Sequence, residues 1–436
     1  MRQIDVKELI GKARFSSFHG TLLFWCGLVI IFDGYDLAVV GVALPTMMAE
    51  LNIGGTMAGL MASSALFGMM FGNVVFGALA EQFGRRRTII FCVTVFSVFT
   101  AAAGLAQDAL SFSLLRFIAG LGIGGVMPNV IALMTEYSPL RLRSTLVSIM
   151  FSGYAIGGIL AAVTGKSFIE AYGWQSVFIA AAAPVLLIPM IWRGLPESAA
   201  FLKRKRRYQE LQGVLKRISP AYSPRVDDDL LIPVTNRSSM ASFRTLFTEG
   251  RGFSTAMFGA TCFLSLFMVY ALSTWLTALL KEAGHNLGSA LTFVLILNLG
   301  AIAGAVGGGW LADRFRINVV LALMYLMAAV VISAMGFGLS DDALSLVVAF
   351  AGAATIGTQI VTSAYAAQFY SEEIRSMGVG LMLGIGRIGA MSSPIIIGLL
   401  VNIQLPLWQN FLAIAVPGVI AAATIMLVDY KQTQKA

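Results

Sequence analysis

Apolar residues gather into twelve long runs along this chain, at about 21–43, 56–80, 88–106, 110–133, 144–165, 174–192, 253–280, 288–311, 318–339, 343–366, 376–400 and 407–428. Each is near the roughly 20 residues that a helix needs to cross a bilayer core. The pattern therefore predicts an all-α integral membrane protein of twelve transmembrane helices. Lys and Arg crowd the N-terminal lead (Arg2, Lys7, Lys12, Arg14) and the even-numbered loops: Arg85–Arg87, Arg141 and Arg143, Lys203–Arg207, Arg314 and Arg316, and Arg375. The breaks at 44–55 and 401–406 carry neither residue. Basic loops stay on the cytoplasmic side, so both termini are expected there. The first nineteen residues, polar and basic, read as a cytoplasmic lead rather than a cleaved signal.

Composition fits this outline. Charged residues make up 12% of the chain and its mean hydropathy is +0.82, whereas a soluble domain carries about 25% charge. The net charge of +8 lies in the loops and marks topology, not a nucleic-acid site. Cys26, Cys92 and Cys262 all fall in apolar runs, and the two histidines, His19 and His285, sit at span ends. No disulfide framework, metal centre or cofactor is expected.

The one long polar stretch divides the chain: a six-helix bundle at 1–192, a cytoplasmic linker with short surface helices at 193–252, and a second bundle at 253–436. An internal repeat supports that division. Gly77-Ala-Leu-Ala-Glu81 returns as Gly309-Trp-Leu-Ala-Asp313, and Tyr137-Ser138 with Arg143-Ser144 returns as Tyr370-Ser371 with Arg375-Ser376 at nearly the same offset. The halves are expected to be parallel repeats about an axis along the membrane normal.

Four charges lie deep in these spans: Asp33 and Asp36 in the first, Arg116 in the fourth and Arg387 in the eleventh. An acid at such depth costs about 2.5–3.5 kcal/mol on insertion scales and usually has a task. Asp33 and Asp36 share a helix face, expected to look into a polar cavity, while Gly20, Gly27, Gly34 and Gly41 form a packing stripe on another. Estimated depth brings Asp36 level with Arg116 and puts Arg387 near the midplane. A balanced set suits a carrier of an organic anion with a proton. Arginine offers paired planar donors to a carboxylate, and a buried aspartate can take up and release a proton. Arg387 is the expected carboxylate ligand, with Asp36 and Arg116 the coupling pair beside Asp33. The plainer alternatives are a structural buried ion pair and a clamp between spans one and four.

Gly77-Ala-Leu-Ala-Glu-Gln-Phe-Gly84-Arg85-Arg86-Arg87 resembles the signature loop of the major facilitator superfamily, and Leu115-Arg116-Phe-Ile-Ala-Gly120 its fourth-helix motif. Asp33-Gly-Tyr-Asp36, Gly124-Gly-Val-Met-Pro128-Asn129 and Thr135-Glu-Tyr-Ser-Pro139 resemble the aromatic acid/proton symporter family, with benzoate transporters nearest. Glu81 stands where the superfamily usually has Asp. Gly153-Tyr-Ala-Ile-Gly157-Gly158 lacks the proline of drug/proton antiporters, which leans away from efflux. The resemblance implies import of a small aromatic carboxylate with protons by alternating access, in a bacterial inner membrane. Protons, substrate and lipid are the expected partners, without nucleic acid, and the protein is expected to act as a monomer. Flat walls for the ring would come from Tyr35, Tyr154, Phe267 and Tyr270, with Asn298 and Gln359 lining the cavity and Arg116 a second candidate ligand. The resemblance also implies an inner gate of Gly77, Glu81, Gly84, Arg85 and Arg86 with Asp313 and Arg314. Glu136 with Arg143, and Glu372 or Glu373 with Arg375, would act beside it. A carrier of drugs, sugars or other organic anions is the alternative on the same fold. A membrane enzyme or receptor is disfavoured, since the chain has no catalytic His cluster, nucleotide-binding Gly-Lys motif or soluble sensory domain.

Overall fold

The computed structural model describes residues 2–220, 222–225, 228–231, 245–248, 250–370 and 374–429. Among the described residues, twelve helices are long and apolar enough to cross a membrane. Spans one to six are Ser17–Glu50, Gly55–Phe83, Arg85–Ala103, Ala109–Tyr137, Arg143–Tyr172 and Gln175–Gly194. Spans seven to twelve are Gly252–Glu282, Leu287–Arg314, Ile317–Ala334, Asp341–Phe369, Arg375–Asn402 and Leu407–Met426. The helices overrun the apolar runs, and at two of them a polar cap sets the start. Asp108 accepts the Leu110 and Ser111 N–H groups to start span four, and Asn286 accepts that of Ser289 to start span eight. Span ten contains a π-helical turn at Ala353–Gly357, packed against Gly304 of span eight.

Span one packs on five, and two and three on four, in the first half; seven packs on eleven, eight on ten and nine on twelve in the second. The halves meet through spans one and seven, two and eleven, and five and eight. That seam is tight toward the 51–54 loop. A Cβ added to Gly41 would lie 1.9 Å from the Ser273 carbonyl oxygen, and one on Gly59 2.3 Å from that of Pro394. The Ser63 hydroxyl donates to the Met391 carbonyl at 2.8 Å, and the Lys166 ammonium to Thr292 at 3.1 Å. Toward the end bearing the chain's lead no such close glycine contact joins the halves among the described residues, and a Cβ added to Gly77 or Gly309 would meet nothing within 4 Å. Of the glycine stripe in span one, Gly34 and Gly41 make close helix contacts, while Gly20 and Gly27 leave room for a Cβ.

The stretch at 193–231 differs from a free linker. Its short helices, Ala199–Arg204 and Tyr208–Ile218, are present, but Leu211, Val214, Leu215 and Ile218 are buried. Strand β1 (Arg2–Asp5) pairs in parallel with β2 (Asp228–Leu231). The Leu140 N–H donates to the Gly11 carbonyl, and the Arg217 guanidinium lies over the Phe18 ring. This part of the linker is thus folded onto the first half, and residues 232–244 lie outside the described residues.

Candidate functional site

Spans one, three and four enclose the first pair of charges. Arg116 Nη1 donates to both Asp36 carboxylate oxygens at 2.9 and 2.8 Å and contacts the Thr100 hydroxyl at 2.7 Å. Its Nη2 donates to the Asp36 carbonyl at 3.1 Å, and Thr100 donates to the Asp36 carboxylate. Arg116 and Asp36 are 1% and 0% exposed. The pair is closed on itself inside the first half, so Asp36 faces its own bundle and not the cavity expected for the face it shares with Asp33.

Asp33, one turn earlier, has another environment. It is completely buried and, among the described residues, neither carboxylate oxygen makes a hydrogen bond of full geometry, the Tyr154 hydroxyl being the donor within its reach. Beside it, Tyr154 of span five buries that hydroxyl, which makes no such bond either. Across the seam, Arg387 Nη1 donates to the Tyr270 hydroxyl at 3.3 Å and Nη2 touches Met127 Sδ at 3.8 Å. Asp33 lies within electrostatic reach of Arg387 without forming an ion pair. A cavity of about 90 Å³ lies between the halves, lined among others by Gly34, Tyr154 and Gly158 on one side and Tyr270, Asn298 and Ile356 on the other; Asp33 and Arg387 adjoin its lining residues Gly34 and Tyr270 but are not themselves part of the lining. It is smaller than the roughly 300–1,000 Å³ usual for ligand sites.

The other expected wall residues divide. Asn298 lines the cavity; its amide donates to the Val294 carbonyl and its oxygen faces Gly158. Gln359 donates to Cys262 Sγ at 3.4 Å, leaving its own oxygen buried and unpartnered; Cys262 in turn packs on Gly386, next to Arg387. Phe267 is buried outside the lining. Tyr35 points elsewhere: its hydroxyl donates to the Val177 carbonyl at 2.8 Å and meets Thr164 at 3.1 Å, within the first half.

Among the described residues, no expected gate residue joins the two halves. Arg85 pairs with Glu136 at 2.5 Å inside the first half. Arg86 stacks on Trp192, and its backbone N–H donates to Glu197, which also crowds Gly84. Arg314 covers Trp310, and Arg375 donates to the Tyr370 carbonyl. Glu81 and Asp313 are exposed, and Gly77 faces open space. Among the described residues Glu136 bonds Arg85, Ser198 and Ala200 and forms no ion pair with Arg143, whose Nε is unpartnered; Glu372 and Glu373 lie outside the described residues. The sequence reading missed Thr100, Met127, Cys262 and the buried Glu197. Glu197 had a visible signal, an acid five residues past the sixth apolar run, and Met127 stood inside the Gly124–Asn129 motif.

The model of the Major Facilitator Superfamily matches residues 26–361. The benzoate transport protein of Acinetobacter baylyi is 41% identical over 98% of this chain and 93% of its own length. The 4-hydroxybenzoate transporter of Pseudomonas putida is 33% identical over 98% and 96%. Among solved structures, a bacterial homologue of the human lysosomal transporter Spinster, inward-facing and unoccupied, superposes with a TM-score of 0.76 at 17% identity, covering 97% of this chain and 99% of that one. With a family match over most of its length and relatives aligned nearly end to end, the chain belongs to the major facilitator superfamily.

Proposed function

We propose that this protein is a proton-coupled secondary transporter that imports an aromatic carboxylate, benzoate first among them, by alternating access. The observation that carries the reading is Arg387: a guanidinium beside the seam between the halves, hydrogen-bonded among the described residues to a neutral hydroxyl and a thioether alone. Such a group has planar donors to spare for a carboxylate. The relatives named for benzoate and 4-hydroxybenzoate transport support that choice.

The proton belongs on Asp33. A buried carboxylate without an ion-pair partner is costly as an anion, so taking a proton is the less costly way to hold it there. Asp36 already has Arg116 and Thr100. The coupling role therefore moves from Asp36 and Arg116 to Asp33, and that pair becomes the clamp of spans one, three and four. With basic loops on the cytoplasmic side of the inner membrane, the lead-bearing end faces inward and the tight seam outward. The protein works as a monomer and catalyses no reaction.

One proton with one monoanion moves no net charge. Labelled benzoate should therefore accumulate in proteoliposomes under a pH gradient, acid on the side from which substrate is taken up, and scarcely respond to voltage alone. Competition by a panel of aromatic acids would rank the substrates. Accumulation driven by voltage without a pH gradient would overturn the coupling, and indifference to every aromatic acid would overturn the substrate class.

A further inference from the structure

Asp33 and Tyr154 of the first half, and Tyr270 and Arg387 of the second, stand across the seam within electrostatic reach of one another. Spans one and five touch at this point, since the Tyr154 carbonyl oxygen lies 2.5 Å from where a Cβ on Gly34 would stand. The Tyr154 backbone is thereby pinned beside Asp33, and the residue contributes to the cavity lining while its hydroxyl is buried. On the far wall Tyr270 accepts from Arg387. Asp36 is the other acid near Asp33, and it is engaged by Arg116 of span four and Thr100 of span three.

A phenol has one proton to donate. The buried Tyr154 hydroxyl has two acceptors in prospect: the Asp33 carboxylate behind it and a substrate carboxylate in front. We propose that Tyr154 is a positioning residue whose hydroxyl is shared between them. Ionised Asp33 claims it, and protonated Asp33 releases it to the carboxylate held by Arg387. The proton then tightens the grip on substrate without touching it, and by reciprocity bound substrate tightens the grip on the proton. This rests on the roles given above to Arg387 and Asp33.

The test is the affinity of the full-length protein for labelled benzoate across pH. Wild type should bind more weakly as pH rises and Asp33 ionises. Tyr154→Phe should bind roughly 5–10-fold more weakly at the acid end, the effect of one hydrogen bond. Its curve should meet the wild-type curve at the alkaline end, where the hydroxyl is already withdrawn. In an Asp33→Asn background the same Phe substitution should cost that factor at every pH. Tyr154→Gln, which keeps a donor, should retain a pH-dependent affinity. Parallel wild-type and Phe curves would reduce Tyr154 to a wall and overturn the proposal, as would a flat profile for Tyr154→Gln. Absence of saturable benzoate binding by wild type is a distinct result, which removes the carboxylate site itself and this proposal with it.

Discussion

Two arginines lie near the middle of this protein, and their surroundings give them different consequences. Arg116 is bonded through both terminal nitrogens to Asp36 and Thr100, with its Nε buried and unpartnered; Arg387 has a tyrosine and a methionine. Removing one member of a buried pair strands the other, at about 3–5 kcal/mol, whereas replacing both by apolar groups is often neutral. Asp36→Asn and Arg116→Met are therefore expected to lower the melting temperature of the purified protein sharply, and Asp36→Leu with Arg116→Met to recover most of it. Equal losses in single and double variants would return the pair to a role beyond clamping. Arg387→Lys replaces paired donors by a point charge. Losing one charge-assisted bond, about 1.5–3 kcal/mol, should weaken benzoate binding roughly 10–100-fold with little change in melting; unchanged affinity would take Arg387 out of the site. The meeting of Asp36 with Arg116 was legible from depth along two helices. The solitude of Asp33 was not, because a three-residue spacing fixes a helix face only loosely and says nothing of which neighbour brings a donor. Tyr35 misled for the same reason, since the Val177 carbonyl that holds its hydroxyl is a backbone atom with no trace in the residue code.

At the scale of elements, the twelve spans were readable from apolar runs because hydrophobic thickness sets their length. The fold of the connecting segments was not. The pairing of Arg2–Asp5 with Asp228–Leu231 joins stretches of chain separated by six spans, and a four-residue strand has no period to detect. Helix starts are intermediate cases, set by single side chains such as Asp108. Its carboxylate accepts the Ser111 and Leu110 N–H groups and the Ser111 hydroxyl, and Ser111 above all holds it below the usual carboxylate range. The cap is consequently fully engaged above the unfolded value and is lost as pH falls through the lower folded one. Amide protection at Leu110 and Ser111 should drop in Asp108→Ala at neutral pH, and the difference from wild type should vanish once acid protonates the cap. Asp108→Asn, which keeps an acceptor, should protect these amides at both pH values.

For the whole molecule, the seam decides which way the site opens. The repeat in the sequence announced two halves, but not which end they pinch, because closure rests on backbone meeting backbone. Spans two and eleven touch where Gly59 faces the carbonyl of Pro394, and a bare Cβ would already sit 2.3 Å from that oxygen and 3.1 Å from the Ile395 Cα. No rotamer relieves such a contact, since both atoms are main chain. A large side chain there can be housed only by parting the halves at this end, and alternating access then requires the opposite end to close. Gly59→Trp should accordingly fold, abolish accumulation of benzoate and leave the protein facing the other way. A reporter cysteine at Gly77 or Gly309, open in this conformation, measures the outcome by its labelling with a membrane-impermeant maleimide from the linker side. Labelling in the Gly59→Trp background should fall at least several-fold below that in the parent. Equal labelling with normal transport would mean that the 51–54 end yields without moving the halves, and that its glycine contacts do not govern the switch.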